Sequence, residues 1–180
     1  MRLVRSIALA LILMGTTTTG RAEIIDRILA IVDTQIITLS DVRAAMKFGL
    51  VPADVSTDPI GAALQRLIDH RLMLAEVDRY APPEPTESAV TASVAAIERR
   101  YADALAFEIA LNQSALSREE LRRHLRDSLR IDTYLRQRFA SAIQGPGEDV
   151  EAQRAAFVRQ WVEGLRRRGA VQLLYLPATK

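Results

Sequence analysis

Between Arg27 and Thr38 two β-branched runs, Ile28-Leu29-Ala30-Ile31-Val32 and Ile36-Ile37, flank the polar break Asp33-Thr34-Gln35. Short runs of this kind around a polar break predict a β-hairpin, although the break lacks the Asn-Gly or Asp-Gly pair that favours the tightest turns. From Thr38 the pattern changes period. Thr38 or Ser40 is placed to cap a helix, Asp41 suits its first turn, and the helix should end near Phe48-Gly49. After a loop over 51–57, Asp58-Pro59 reads as an N-cap followed by proline at the first helical position. Leu64, Leu67, Ile68, Leu72 and Ala75 then recur at helical spacing to about Arg79.

Ala81-Pro82-Pro83-Glu84-Pro85 cannot be helical and predicts a stiff connector. Beyond it, Thr86 opens a helix with Val90, Val94, Ile97 and Tyr101 on one stripe, and a shorter helix covers 103–111. Ser117-Arg118-Glu119-Glu120 is a capping box. The long helix behind it carries Leu121, Leu125, Leu129, Ile131, Leu135 and Phe139. Gln144-Gly145-Pro146-Gly147 breaks the chain. A last helix follows over 148–168, striped by Val150, Phe157, Trp161 and Leu165, with Trp161 expected where this helix meets the sheet. Ala170 to Leu176 reads as a strand stopped by Pro177.

A lone hairpin is marginal, so the simplest arrangement joins all three strands. The expected fold is mainly α with a small β-sheet, in which the N-terminal hairpin pairs with the C-terminal strand.

The N-terminus changes the charge argument. Met1-Arg2-Leu3-Val4-Arg5, a short apolar run and Gly20-Arg21-Ala22 have the form of a secretory signal peptide, with cleavage expected after Ala22. The run is too short for a spanning helix, so no stable membrane insertion is expected after cleavage. Cleavage removes Arg2, Arg5 and Arg21 from the 24 Lys and Arg and none of the 22 Asp and Glu, so the formal balance passes from +2 to −1. That argues against nucleic acid as a partner. Without cysteine there is no disulfide framework, thiolate metal site or thiol nucleophile. Residues 23–180 are expected to form one domain: hairpin and helices over 23–139, a linker over 140–149, and the last helix and strand over 150–180.

The order of motifs resembles SurA-type periplasmic chaperones. Ile28-Leu29-Ala30-Ile31-Val32-Asp33 through Ile36-Ile37-Thr38-Leu39-Ser40-Asp41-Val42 is similar to the hairpin and first helix that open that family. Leu64 to Glu76 looks like its "l-x-x-lid-x-x-ll-x-x-e" helix, and Phe107 through Ser117-Arg118-Glu119-Glu120-Leu121-Arg122 to Tyr134 and Phe139 resembles the region after it. In the family, parvulin prolyl-isomerase domains follow the long helix. Here 140–149 is too short to hold one. The resemblance therefore implies a chaperone core without the isomerase domain: an ATP-independent periplasmic holdase, not an enzyme. Its partners would be unfolded outer-membrane or secreted chains. The alternative is a dedicated module for one partner, such as a separate isomerase or assembly factor; a prolyl isomerase is the least supported reading. A dimer by strand or helix swapping is conceivable, given the hinge at Gly145-Pro146-Gly147.

A holdase needs accessible apolar surface. The candidate client-binding residues are Met46, Phe48, Leu50 and Val51, and Leu105, Phe107, Ile109 and Leu111; the last four alternate, so one narrow helical stripe cannot bury them all. Met46 and Met73 are adaptable fillers that could also line such a surface. Arg122, Arg123, Arg126 and Arg130 are interleaved with acids and read as a solvated face. His70 and His124, on different helices, read as ordinary helix-surface residues. No cofactor, metal or nucleotide motif is present, and no G-x-S-x-G elbow.

Overall fold

The computed structural model describes residues 26–52, 55–140 and 148–177. The expected signal peptide, 1–22, and most of the expected linker lie outside them. The elements run β1 (Ile28–Val32), β2 (Gln35–Thr38), α1 (Leu39–Phe48), α2 (Pro59–Tyr80), α3 (Glu87–Glu98), α4 (Ala104–Gln113), α5 (Arg118–Phe139), α6 (Glu148–Arg168) and β3 (Val171–Leu173). The fold is mainly helical with one three-stranded antiparallel sheet, order β2-β1-β3, so the C-terminal strand closes on the N-terminal hairpin.

Local chemistry accounts for the element ends. Asp33 takes a positive φ of 53° in the hairpin turn, a conformation Asp tolerates better than most residues. The register of β1 on β2 slips between Ile28 and Ala30. This bulge lets the consecutive residues Leu29 and Ala30 both be buried, where a regular strand would expose one. Thr38, rather than Ser40, caps α1 in a capping box with Asp41, while Asp26 hydrogen-bonds the Ser40 hydroxyl. Gly49 ends α1 at φ +62°, where Arg100 closes in and donates to the Phe48 carbonyl. Asp58, Thr86, Asp103 and Ser117 cap the next four helices.

The strand expected over 170–176 is shorter than the sequence suggests. Leu174 N–H still donates to the Leu29 carbonyl, but the Tyr175 hydroxyl donates to Asp58 Oδ1 at 2.7 Å. That bond draws the chain off the sheet toward the start of α2.

The interior falls into three clusters. The sheet packs on α1, α2 and Leu165. A second cluster joins Ala44 and Phe48 of α1, Ile97, Phe107 and Leu111 of α4, and Leu121 at the start of α5. The third joins Leu74 and Val77 of α2 to Ile131, Tyr134, Leu135 and Phe139 at the end of α5, with Val158 and Trp161 of α6 against them. Trp161 touches the sheet-side core as expected, but its ring lies on Tyr134 and Phe139, with centroids at 5.7 and 6.5 Å. Among the described residues no helix is long and apolar enough to cross a membrane.

Candidate functional site

The structure splits the eight candidate residues. Phe48, Val51, Phe107 and Leu111 belong to the core, with Phe48 and Phe107 fully buried. Leu105 and Ile109 are 68% and 46% exposed, and Met46 is 40% exposed. The reason is helical geometry. Residues 105 and 109 stand four apart and share one face of α4, as do 107 and 111 on another. The second pair meets Phe48, whose ring lies edge-on to Phe107 at 6.1 Å, and the Arg118 guanidinium covers the Phe107 ring at 5.0 Å. Phe48, Phe107 and Leu111 are therefore not a ready client surface.

Leu50 and Val51 do border a cleft, but one built mainly by other residues. Between α2, α5 and α6 lies a groove of about 550 Å³. Its apolar wall is Leu67 and Met73 from α2, Ile131 and Leu135 from α5, and Val158 and Val162 from α6. Three cations and three carboxylates stand around it: Arg66, Arg159 and Arg166, with Asp69, Asp132 and Glu163. Arg166 fixes α6 on α2 by donating to Asp69 at 2.6 Å and to the side chain and carbonyl of Gln65 at 2.6 and 3.1 Å. The wall from α6 lies off the Phe157, Trp161, Leu165 stripe. Val158 and Val162, four residues apart, were the sequence signal for this second apolar face.

The floor holds the two histidines. They are not ordinary surface residues: His70 and His124 are half-buried and stack face to face, centroids 4.5 Å apart and planes within 15°. α2 carries His70, and α5 carries His124 with Ser128 one turn beyond it. The Ser128 hydroxyl donates its single hydrogen to the His124 carbonyl at 3.0 Å. Toward His70 Nε2, 3.2 Å away, it can only accept. Burial, the His124 ring and Arg71 push the His70 imidazole down to about 3. Burial, with Arg71 nearby, takes His124 down to about 4. Both are neutral at neutral pH, and a stack of neutral rings carries no mutual charge repulsion.

This geometry bears on chemistry. A serine nucleophile must give its proton to a histidine, whereas the Ser128 hydroxyl is bonded to the His124 carbonyl of its own helix. Imidazoles held near 3 and 4 are also poorly matched to proton transfer at neutral pH. The two histidines also line a smaller cavity of about 170 Å³, together with Asp41, Arg71, Glu120, Arg123 and Asp127; burial pushes the Asp127 carboxyl up. Among the described residues no group of three or more His, Cys, Asp or Glu is placed to hold a metal ion.

Among the described residues, three of the four clustered arginines of α5, Arg122, Arg126 and Arg130 but not Arg123, form ion pairs across the helices. Arg122 and Arg126 reach Glu87 at 2.7 and 2.6 Å, and Arg130 reaches Asp78 at 2.8 Å and Glu84 at 3.1 Å. These pairs fasten α5 to α3, to α2 and to the proline connector.

No protein-family model matches the chain, and no curated protein matches it in sequence.

Proposed function

We propose that the protein is an ATP-independent periplasmic chaperone that holds apolar segments of unfolded outer-membrane or secreted chains in the α2–α5–α6 groove. The observation that carries this reading is the groove itself: an open apolar trough containing a methionine and bordered by balanced charge. Apolar walls reward any chain that brings aliphatic or aromatic side chains. Met73 adapts its shape to different occupants. Three cations facing three carboxylates select no net sign in a client, which suits sequence-tolerant binding. The motif order shared with SurA-type chaperones and the leader-like N-terminus support the same class and the periplasmic location.

The test compares the wild type with Val158→Asp and Val162→Asp, both at half-buried groove positions, in suppressing aggregation of a urea-denatured outer-membrane protein. Near-equimolar wild type should keep the client soluble. Each variant should melt within a few degrees of wild type and bind client at least tenfold more weakly, because an apolar client side chain can then bury against the wall only by desolvating a carboxylate. Equal protection by wild type and variants would exclude the groove. No protection by the wild type would overturn the holdase reading and favour a module for a single partner.

A further inference from the structure

The sheet has an edge that nothing among the described residues covers. β3 is the outer strand, paired on one side only to β1, with Ala30 opposite Leu173, Ile31 opposite Gln172 and Val32 opposite Val171. The bonds flanking this ladder run from Asp33 N–H to the Ala170 carbonyl at 2.8 Å and from Leu174 N–H to the Leu29 carbonyl at 2.9 Å. Residues 170, 172 and 174 therefore turn their backbone groups toward β1. By the alternation of an antiparallel ladder, Val171 and Leu173 turn their N–H and C=O groups outward.

Proteins protect such edges with very short strands, prolines, charged side chains, bulges or a covering element. β3 is short, three residues, and Pro177 follows it, but from Gly169 to Pro177 there is no charged residue, and no described strand pairs with its outer side. Val171 and Leu173 lie on the core face of the sheet, opposite Val32 and Ala30, yet they are 36% and 51% exposed, and Leu174 and Leu176 beyond them are 40% and 76% exposed. The strand presents outward backbone bonds and uncovered apolar side chains together.

We propose that this edge pairs with the same edge of a second copy of the chain, β3 antiparallel to β3, giving a two-fold dimer with a continuous six-stranded sheet. The three residues are self-complementary about Gln172. A two-fold axis there sets Val171 opposite Leu173 of the second copy, and Leu173 opposite its Val171. Both are pairs whose backbone groups point outward, so four N–H to C=O bonds form around the axis. On the core face each valine then covers a leucine. On the other face the two Gln172 side chains stand opposite each other, neutral and able to hydrogen-bond. A two-fold contact closes on itself and leaves no β3 edge free.

Sedimentation velocity over a range of protein concentrations, on wild type, Leu173→Pro and Gln172→Lys, tests this. Leu173→Pro removes an outward N–H that β1 does not use, which an edge strand tolerates. Gln172→Lys sets two ammonium groups opposite each other only in the dimer, which is destabilising. The wild type should rise toward twice the mass of one chain as concentration increases. Both variants should stay at the mass of one chain with an unchanged circular-dichroism spectrum; should Leu173→Pro lose that spectrum, Gln172→Lys alone decides. A wild type that stays monomeric throughout, or variants that dimerise as it does, would overturn the proposal. So would a monomeric wild type whose client binding is lost in Leu173→Pro, which would assign the edge to an extended client strand.

Discussion

Helix α5 passes through two kinds of interior. At its start Leu121 is buried beside Phe48 and Phe107, and at its end Tyr134, Leu135 and Phe139 are buried against α2 and α6. From Arg122 to Arg130 none of its residues is fully buried, and there it borders two cavities that the histidine stack also lines. The ends are closed by rings and aliphatic side chains that fill volume. The middle is spanned by two imidazoles and a serine that place polar atoms where a filled core would place methyl groups. One helix thus supplies both the anchoring and the site, because its ends are held firmly enough for its middle to remain open.

Breaking an end should have the largest effect. Phe107 is fully buried and touches Phe48, Tyr101 and the Arg118 guanidinium. Phe107→Ala should cost about 3–5 kcal/mol of stability, since the cavity is closed in by two other rings. Urea denaturation followed by far-UV circular dichroism measures it. Below the unfolding transition the same variant should bind client as the wild type does, because Phe107 does not line the groove.

The middle should be broken by acid. A histidine whose folded pKa lies below its unfolded value of 6.5 stabilises the fold above pH 6.5 and loses that contribution as pH falls toward the folded value. His70 is held at about 3 and His124 at about 4, so the loss begins near pH 6.5 and continues down to about pH 3. Asp26, Glu87 and Glu120 are also held low, but their unfolded values are 3.8 and 4.5, so they act only at lower pH. Asp127, whose carboxyl burial pushes up, works in the opposite direction; between pH 6.5 and 5 the histidine pair alone should lose roughly 2–4 kcal/mol as pH falls. Denaturation midpoints at half-unit steps of pH would show it. The double variant His70→Leu, His124→Leu should show no such loss over that window; an unchanged slope in it would mean that the stack does not control acid stability.

The two interiors were not equally legible in the sequence. The ends were written in local chemistry: Thr38, Asp58, Thr86 and Ser117 announced the helix starts, and Leu121, Ile131, Leu135 and Phe139 fell at helical spacing. The groove depended on three helices that are distant in the chain. His70 and His124 are 54 positions apart, and no local pattern states that α2 and α5 cross where their rings stack. α2 buries two faces, one carrying Leu64 and Ile68 toward the sheet and one carrying Leu74 and Val77 toward α5. The single stripe expected for it described only the first. On α4 the alternation of Leu105, Phe107, Ile109 and Leu111 said that two faces were apolar but not which face met Phe48.

That ambiguity leaves the smallest effect to measure, on the face of α4 turned away from the core. Leu105 and Ile109 are the exposed pair, and exposed leucines and isoleucines scattered singly are ordinary on a protein surface. Replacing both by serine removes little buried area and leaves Asp103 in place to cap the helix through Ala106 N–H at 2.7 Å. The expected stability change is within about 0.5 kcal/mol per site. If clients bind in the groove, the double variant should suppress aggregation as well as the wild type, in contrast to Val158→Asp. A double variant that stays folded yet loses protection would move the client surface to α4, and with it the distinction drawn between the sealed and the open parts of the molecule.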